Sequence, residues 1–189
     1  EERVTTHPDG RAETVATHSH MLLMVACTVA AEENRKLRGR KLPIFDLGLV
    51  AQFAAVHDIA EVAPGGPGDV DTFLTTDADA LARKDAAEHN ASARLALVHP
   101  RWLGPVVARY RAQEEPEARL VRYLDKVTPK ATLALSACAQ FKRDGVSRAY
   151  FEDFVAKQRA ELDAQYPELA ELCGGIYDGM NEAVRGAWQ

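Results

Sequence analysis

Cysteine is scarce in this chain. There are three in 189 residues (Cys27, Cys138 and Cys173), far apart and with no CxxC pair. That pattern argues against a disulfide scaffold and reads as reduced thiols in a cytosolic protein. Cys27 and Cys138 fall in apolar helical runs, where core packing is the expected role. Positive charge is not in surplus either: 23 Lys and Arg face 28 Asp and Glu, for a net charge of −5. Phosphate backbones are held by clustered Lys and Arg, so no nucleic-acid polymer is expected as a partner. A mononucleotide is still allowed, because a metal and a few cations hold it. The longest apolar run, about residues 21–31, is too short to span a bilayer, and no signal peptide is visible. A cytoplasmic protein without a membrane partner is therefore expected. The first residue is Glu1 rather than Met, so further residues are expected to precede it. No segment alternates with period two, so no strand is expected. Repeats and low-complexity linkers are also missing.

What is present is ordinary for a globular protein, with 47% hydrophobic and 27% charged residues. The length suggests one domain, spanning 1–189. Apolar residues at helical spacing predict a helix over 13–35, followed by a basic, solvated stretch (Arg35, Lys36, Arg38, Arg40, Lys41). Asp46 caps a second helix that Pro64 ends. The loop after it, PGGPGDVDTFLTTD, is long enough to suggest a functional role. A third helix over 77–98 stops at Pro100, and a short one over 101–112 is expected to kink at Pro105. A long helix from Pro116, disturbed at Pro129 and ended by Gly145, precedes two more over 149–165 and 167–184. The expected fold is all-α, a single helical bundle of six or seven helices.

The stretch AAVHDIAEVA carries most of the chemistry. His57 and Asp58 are adjacent, so on a helix they point about 100° apart. Both reach one metal only at a helix edge, which suits a position one turn before a break. Glu61 lies on the same face, where a carboxylate can orient or deprotonate a metal-bound water. A His-Asp pair is common by chance, and two other segments strengthen it. THSHM places His18 at the start of an apolar helix. LVRYLDKV places Asp125 in the middle of another, where burial without a partner is costly. A metal offsets that cost, as would Arg119 or Lys126. Two histidines and two carboxylates suit one divalent ion, Mn, Fe, Co, Ni or Zn, with Mg also allowed. Six-coordination leaves positions for water and substrate.

The order H…HD…D on helices resembles the HD-domain phosphohydrolases, and most of all their 5′-deoxynucleotidase branch. RAETVATHSHM, AAVHDIAEVAPGGPGD, ARKDAAEHNA and PEARLVRYLDK carry the resemblance, over about residues 3–130. The resemblance implies an HD metal core over about 3–130 with C-terminal helices, 147–186, packed on it. It implies His18, His57, Asp58 and Asp125 as ligands and Glu61 acting on the attacking water. It also implies Asp69 in the Gly-Asp loop as a second catalytic group. Thr72, Arg3 and Lys84 match substrate contacts, and a homodimer is the family tendency. Two departures fall on substrate recognition: Val4 occupies the place of a tryptophan, and the loop before Asp69 is longer than the family's short turn. The implied activity is removal of the 5′-phosphate from deoxynucleoside monophosphates. The alternatives are a deoxynucleoside triphosphate triphosphohydrolase, a di-iron oxygenase and a non-catalytic nucleotide-binding protein.

Other residues compete for these roles. His20 is about 200° from His18 on a helix, so only one of them faces the site. His89 and His99 raise the possibility of a second metal. Lys84 and Glu88 form an i,i+4 pair, read either as a surface ion pair or as a lysine beside the substrate phosphate. Trp102 and Tyr110 are expected to pack the short helix.

Overall fold

A computed structural model describes residues 2–6, 10–37, 45–63, 66–67, 77–98 and 100–188. Among them are ten helices: α1 (Val15–Leu37), α2 (Leu47–Val56), α3 (Ile59–Val62), α4 (Ala78–Val98), α5 (Leu103–Ala112), α6 (Pro116–Asp125), α7 (Thr128–Leu135), α8 (Ala139–Arg143), α9 (Arg148–Gln165) and α10 (Pro167–Ala187). The all-α expectation holds, but the count of six or seven does not. Two of the anticipated helices are broken. One divides into α2 and α3 at His57–Asp58, the other into α6, α7 and α8.

The absence of strands is also corrected. Strands β1 (Glu2–Thr6) and β2 (Ala12–Thr14) pair antiparallel, Glu2 opposite Thr14 and Thr6 opposite Ala12. The connecting turn includes Gly10 at φ +83°, a left-handed conformation that glycine adopts at little cost. A hairpin this short shows little period-two alternation in sequence.

Backbone contacts divide the chain into two compact units. The first runs from Val15 to Arg122. In it α1 packs on α2, α2 on α5, and α4 on both α3 and α5. Asp46 caps α2 by accepting from the backbone N–H groups of Gly48 and Leu49 at 2.8 and 3.1 Å. Glu117 accepts from the Asp46 N–H at 2.9 Å, so the start of α2 is fixed from α6 as well. Val50, Phe53, Ala54 and Val56 bury the inner face of α2. Helix α1 buries a stripe of Val15, His18, Leu22, Ala26 and Ala30, at the i+3 and i+4 spacing of one helical face. It is the one described helix long and apolar enough to cross a membrane, a test that core helices of soluble proteins also pass. Pro105 does not kink α5. It sits in the first turn, where the missing N–H has no helical partner to lose. Trp102 is 58% exposed, so it does not pack this helix, whereas Tyr110 is buried.

The second unit comprises Glu2–Thr14 and Tyr123–Gln189. Here α10 packs on α7 and α9, and β1 lies against α7 and α8. Helix α7 ends through two consecutive left-handed residues, Ala137 (φ +50°) and Cys138 (φ +56°). Helix α8 ends at Gly145 (φ +70°), where Val146 N–H reaches back to the Phe141 carbonyl at 2.9 Å. Trp188 packs at a tilt against Phe141 and Phe151, with ring centroids 5.9 and 5.4 Å away, which gives this tryptophan a packing role. None of the three cysteines is in a disulfide, and burial pushes the Cys27 and Cys138 thiols up.

Candidate metal centre

Three of the anticipated ligands come together within the first unit. One ring nitrogen each of His18 and His57 and one carboxylate oxygen of Asp58 lie within 4.8 Å of one another. His18 is fully buried in the first turn of α1. Its Nε2 lies 4.0 Å from Asp58 Oδ2. His57 Nε2 lies 2.9 Å from the same oxygen, and the two imidazole centroids are 5.3 Å apart.

The local backbone explains how neighbouring residues share one point. Helix α2 stops at Val56, and Asp58 sits at φ −103°, ψ 11°, outside helical geometry. This bridge region is sparsely populated and recurs at active sites. The departure falls at the residue whose carboxylate faces both imidazoles. Asp58 still accepts the Glu61 N–H at 3.0 Å, which starts α3.

The orientation of the His57 ring follows from one contact. Its Nδ1 lies 2.9 Å from the Ala54 carbonyl oxygen, which can only accept. Nδ1 therefore donates to that carbonyl, and Nε2 is the ring nitrogen that faces Asp58. A backbone carbonyl on the far nitrogen is the usual way a metal-binding imidazole is oriented. Tyr110 of α5 meets the His57 ring edge-on, with centroids 6.4 Å apart. Imidazole nitrogens and a carboxylate oxygen at these separations fit a divalent first-row ion.

Glu61 is 7% exposed and accepts a hydrogen bond from Lys84 Nζ of α4 at 2.7 Å. Lys84 Nζ also lies 3.6 Å from Glu88 Oε1, and Glu88 Oε2 lies 3.4 Å from Arg111 Nη1 of α5. Neither the Lys84–Glu61 link nor Arg111 was legible in the sequence, because each joins different helices and no spacing rule reaches across.

Asp125 belongs to the second unit. It is the last residue of α6, 4% exposed, with Lys126 Nζ 2.8 Å from its Oδ2. Arg3 and Val4 lie on β1, but their side chains are outside the described residues, as are Asp69, Thr72 and His99. His20 is exposed on α1, which favours His18 as the inward residue. His89 is exposed on α4 and does not join the cluster.

The family model described as HD domain matches residues 1–170. The chain belongs to the HD-domain family. The HD protein thus carries its family pattern across most of its length, into α10. No curated protein and no solved structure matches it. The HD family comprises, broadly, metal-dependent phosphohydrolases, and the His/Asp cluster is compatible with a divalent metal site.

Proposed function

We propose that this HD protein is a phosphohydrolase of deoxynucleotides that removes the 5′-phosphate of deoxynucleoside monophosphates. The observation that carries the reading is the grouping of His18, His57 and Asp58 with a buried carboxylate, Glu61, one helical turn further on. Asp125 is proposed as the fourth ligand, from its place in the H…HD…D order. His18, His57, Asp58 and Asp125 would hold one divalent ion. When bound, such an ion polarises the phosphate and lowers the pKa of a coordinated water.

The chain's own residues do the rest. Glu61 accepts the water's proton or holds the water in line for attack on phosphorus. Lys84 keeps the Glu61 carboxylate in one orientation. By resemblance, Asp69 protonates the leaving 5′-oxygen, while Arg3 and Thr72 hold the substrate, with Val4 beside the nucleoside. The expected setting is a cytoplasmic homodimer, with the C-terminal helices part of the same HD domain.

A panel of deoxynucleotides and ribonucleotides, each with Mn, Co, Fe, Ni, Zn and Mg, tests the reading. Orthophosphate and nucleoside from a deoxynucleoside monophosphate support it. Release of triphosphate from a deoxynucleoside triphosphate would make the protein a triphosphohydrolase instead. No hydrolysis with any pair would leave a nucleotide-binding role. Elemental analysis near two metals per chain would favour the oxygenase alternative.

A further inference from the structure

Four charged side chains of the first unit form a run that alternates in sign. Glu61 on α3 meets Lys84 on α4 at 2.7 Å, Lys84 meets Glu88 at 3.6 Å, and Glu88 meets Arg111 on α5 at 3.4 Å. Exposure rises along it, from 7% at Glu61 through 14% and 21% to 36% at Arg111. The inner end is buried and the outer end is wet, so the short Glu61–Lys84 link is the strong one.

We infer that Lys84 and Glu88 are positioning residues for Glu61, with Arg111 holding the outer end of the run. A buried carboxylate is costly unless paired, and Lys84 supplies the pair. A lysine alone holds it loosely, because its ammonium is a point charge on a flexible four-carbon stem. Glu88, one turn further along the same helix, also attracts the ammonium, at 3.6 Å. Arg111 then fixes Glu88 from a third helix. Among the described residues the ammonium thus meets two carboxylates, and Glu61 keeps one orientation of its carboxylate. The inference rests on the reading that Glu61 acts at the reacting water. It differs from the sequence-based role of Lys84 as a phosphate contact, which would act on substrate affinity.

The test uses the full chain with manganese and the best nucleotide of the panel. Glu88→Gln is expected to lower kcat roughly 3- to 10-fold, as for coupled charged neighbours, with KM and metal content unchanged. Lys84→Met should lose more, and Lys84→Arg should recover most of it. In a Glu61→Gln background, adding Glu88→Gln should leave the residual kcat unaltered. A rise in KM at constant kcat, or an equal loss in both backgrounds, overturns the inference. A second readout needs no activity: the side-chain nitrogen of Lys84 followed by NMR in the metal-free protein. Its slowly exchanging ammonium signal should vanish in Glu61→Gln and broaden in Glu88→Gln, and an unchanged signal in both overturns the inference. If the wild type hydrolyses nothing, the phosphohydrolase reading fails, and the NMR result still decides whether the run holds Glu61.

Discussion

Three glycines of α10 should respond to alanine in opposite directions. Gly175 and Gly179 have open space where a Cβ would project. An interior helical glycine is about 1 kcal/mol less favourable than alanine, so Gly175→Ala and Gly179→Ala should each stabilise by up to that amount. For a chain of this size that is roughly 2–4 °C in Tm. Gly174 differs, because a Cβ there would lie 2.2 Å from Arg159 Nη2 and 2.9 Å from its Cζ. Arg159 would have to leave. It donates to the Gly174 carbonyl at 2.9 Å, to Asp163 at 2.7 Å and to Asp178 at 2.7 Å. Asp178 is 68% exposed, so that pair counts for little. The other two are worth about 1–2 kcal/mol each, and Asp163 keeps the Tyr123 hydroxyl as a donor. After the helical gain of about 1 kcal/mol, Gly174→Ala should still destabilise by roughly 1–3 kcal/mol. Thermal unfolding followed by circular dichroism measures all three variants. The same substitution in an Arg159→Ala background should become stabilising, since the clash is gone. If Gly174→Ala raises Tm as much as Gly175→Ala does, the steric argument is wrong.

Further outcomes follow from other sites. His57→Ala and Asp58→Asn should weaken metal binding by more than the roughly 10- to 100-fold that loss of an outer partner costs, read by calorimetry with Mn or Co. Ala137→Gly should stabilise by about 1 kcal/mol, because Ala137 holds a left-handed conformation that costs a non-glycine residue about 1–2 kcal/mol; an unchanged denaturation midpoint would contradict this. Burial, with Lys126 nearby and against the opposing pull of Asp125, lowers the Lys130 pKa to about 7. The folded value lies below the unfolded one, so the unfolded state binds more protons between about pH 7 and 10, and stability contributed here rises with pH. Wild type should therefore gain on Lys130→Met as pH rises through that window, by at most ~1.4 kcal/mol per unit. Urea midpoints of both proteins across the range check the sign.

Helix positions could be read from the sequence because apolar spacing, the Asp46 cap, Pro116 and Gly145 act locally. Their continuity could not. The interruption at His57–Asp58 lies within an apolar run that continues the helical pattern, and only the Asp58 backbone angles reveal it. The division of α7 from α8 rests on left-handed alanine and cysteine, which carry no turn signature. The hairpin is too short for a clear period. At the site, residue types named His18, His57, Asp58 and Glu61 because metal chemistry restricts which side chains serve. The bond from Lys84 to Glu61 joins residues 23 apart on separate helices, and nothing local encodes it.

The placement of His57 ties the cluster to the length of α2. The helix is anchored at one end by Asp46, itself bound by Glu117, and delivers His57 at the other through its bond to Ala54. Inserting or deleting one residue between them would turn the imidazole by about 100° and move it about 1.5 Å along the axis. Descendants of this gene should therefore vary α2 by substitution and tolerate indels outside it. A chain that had lost a single residue there would keep its helices and lose the His/Asp cluster.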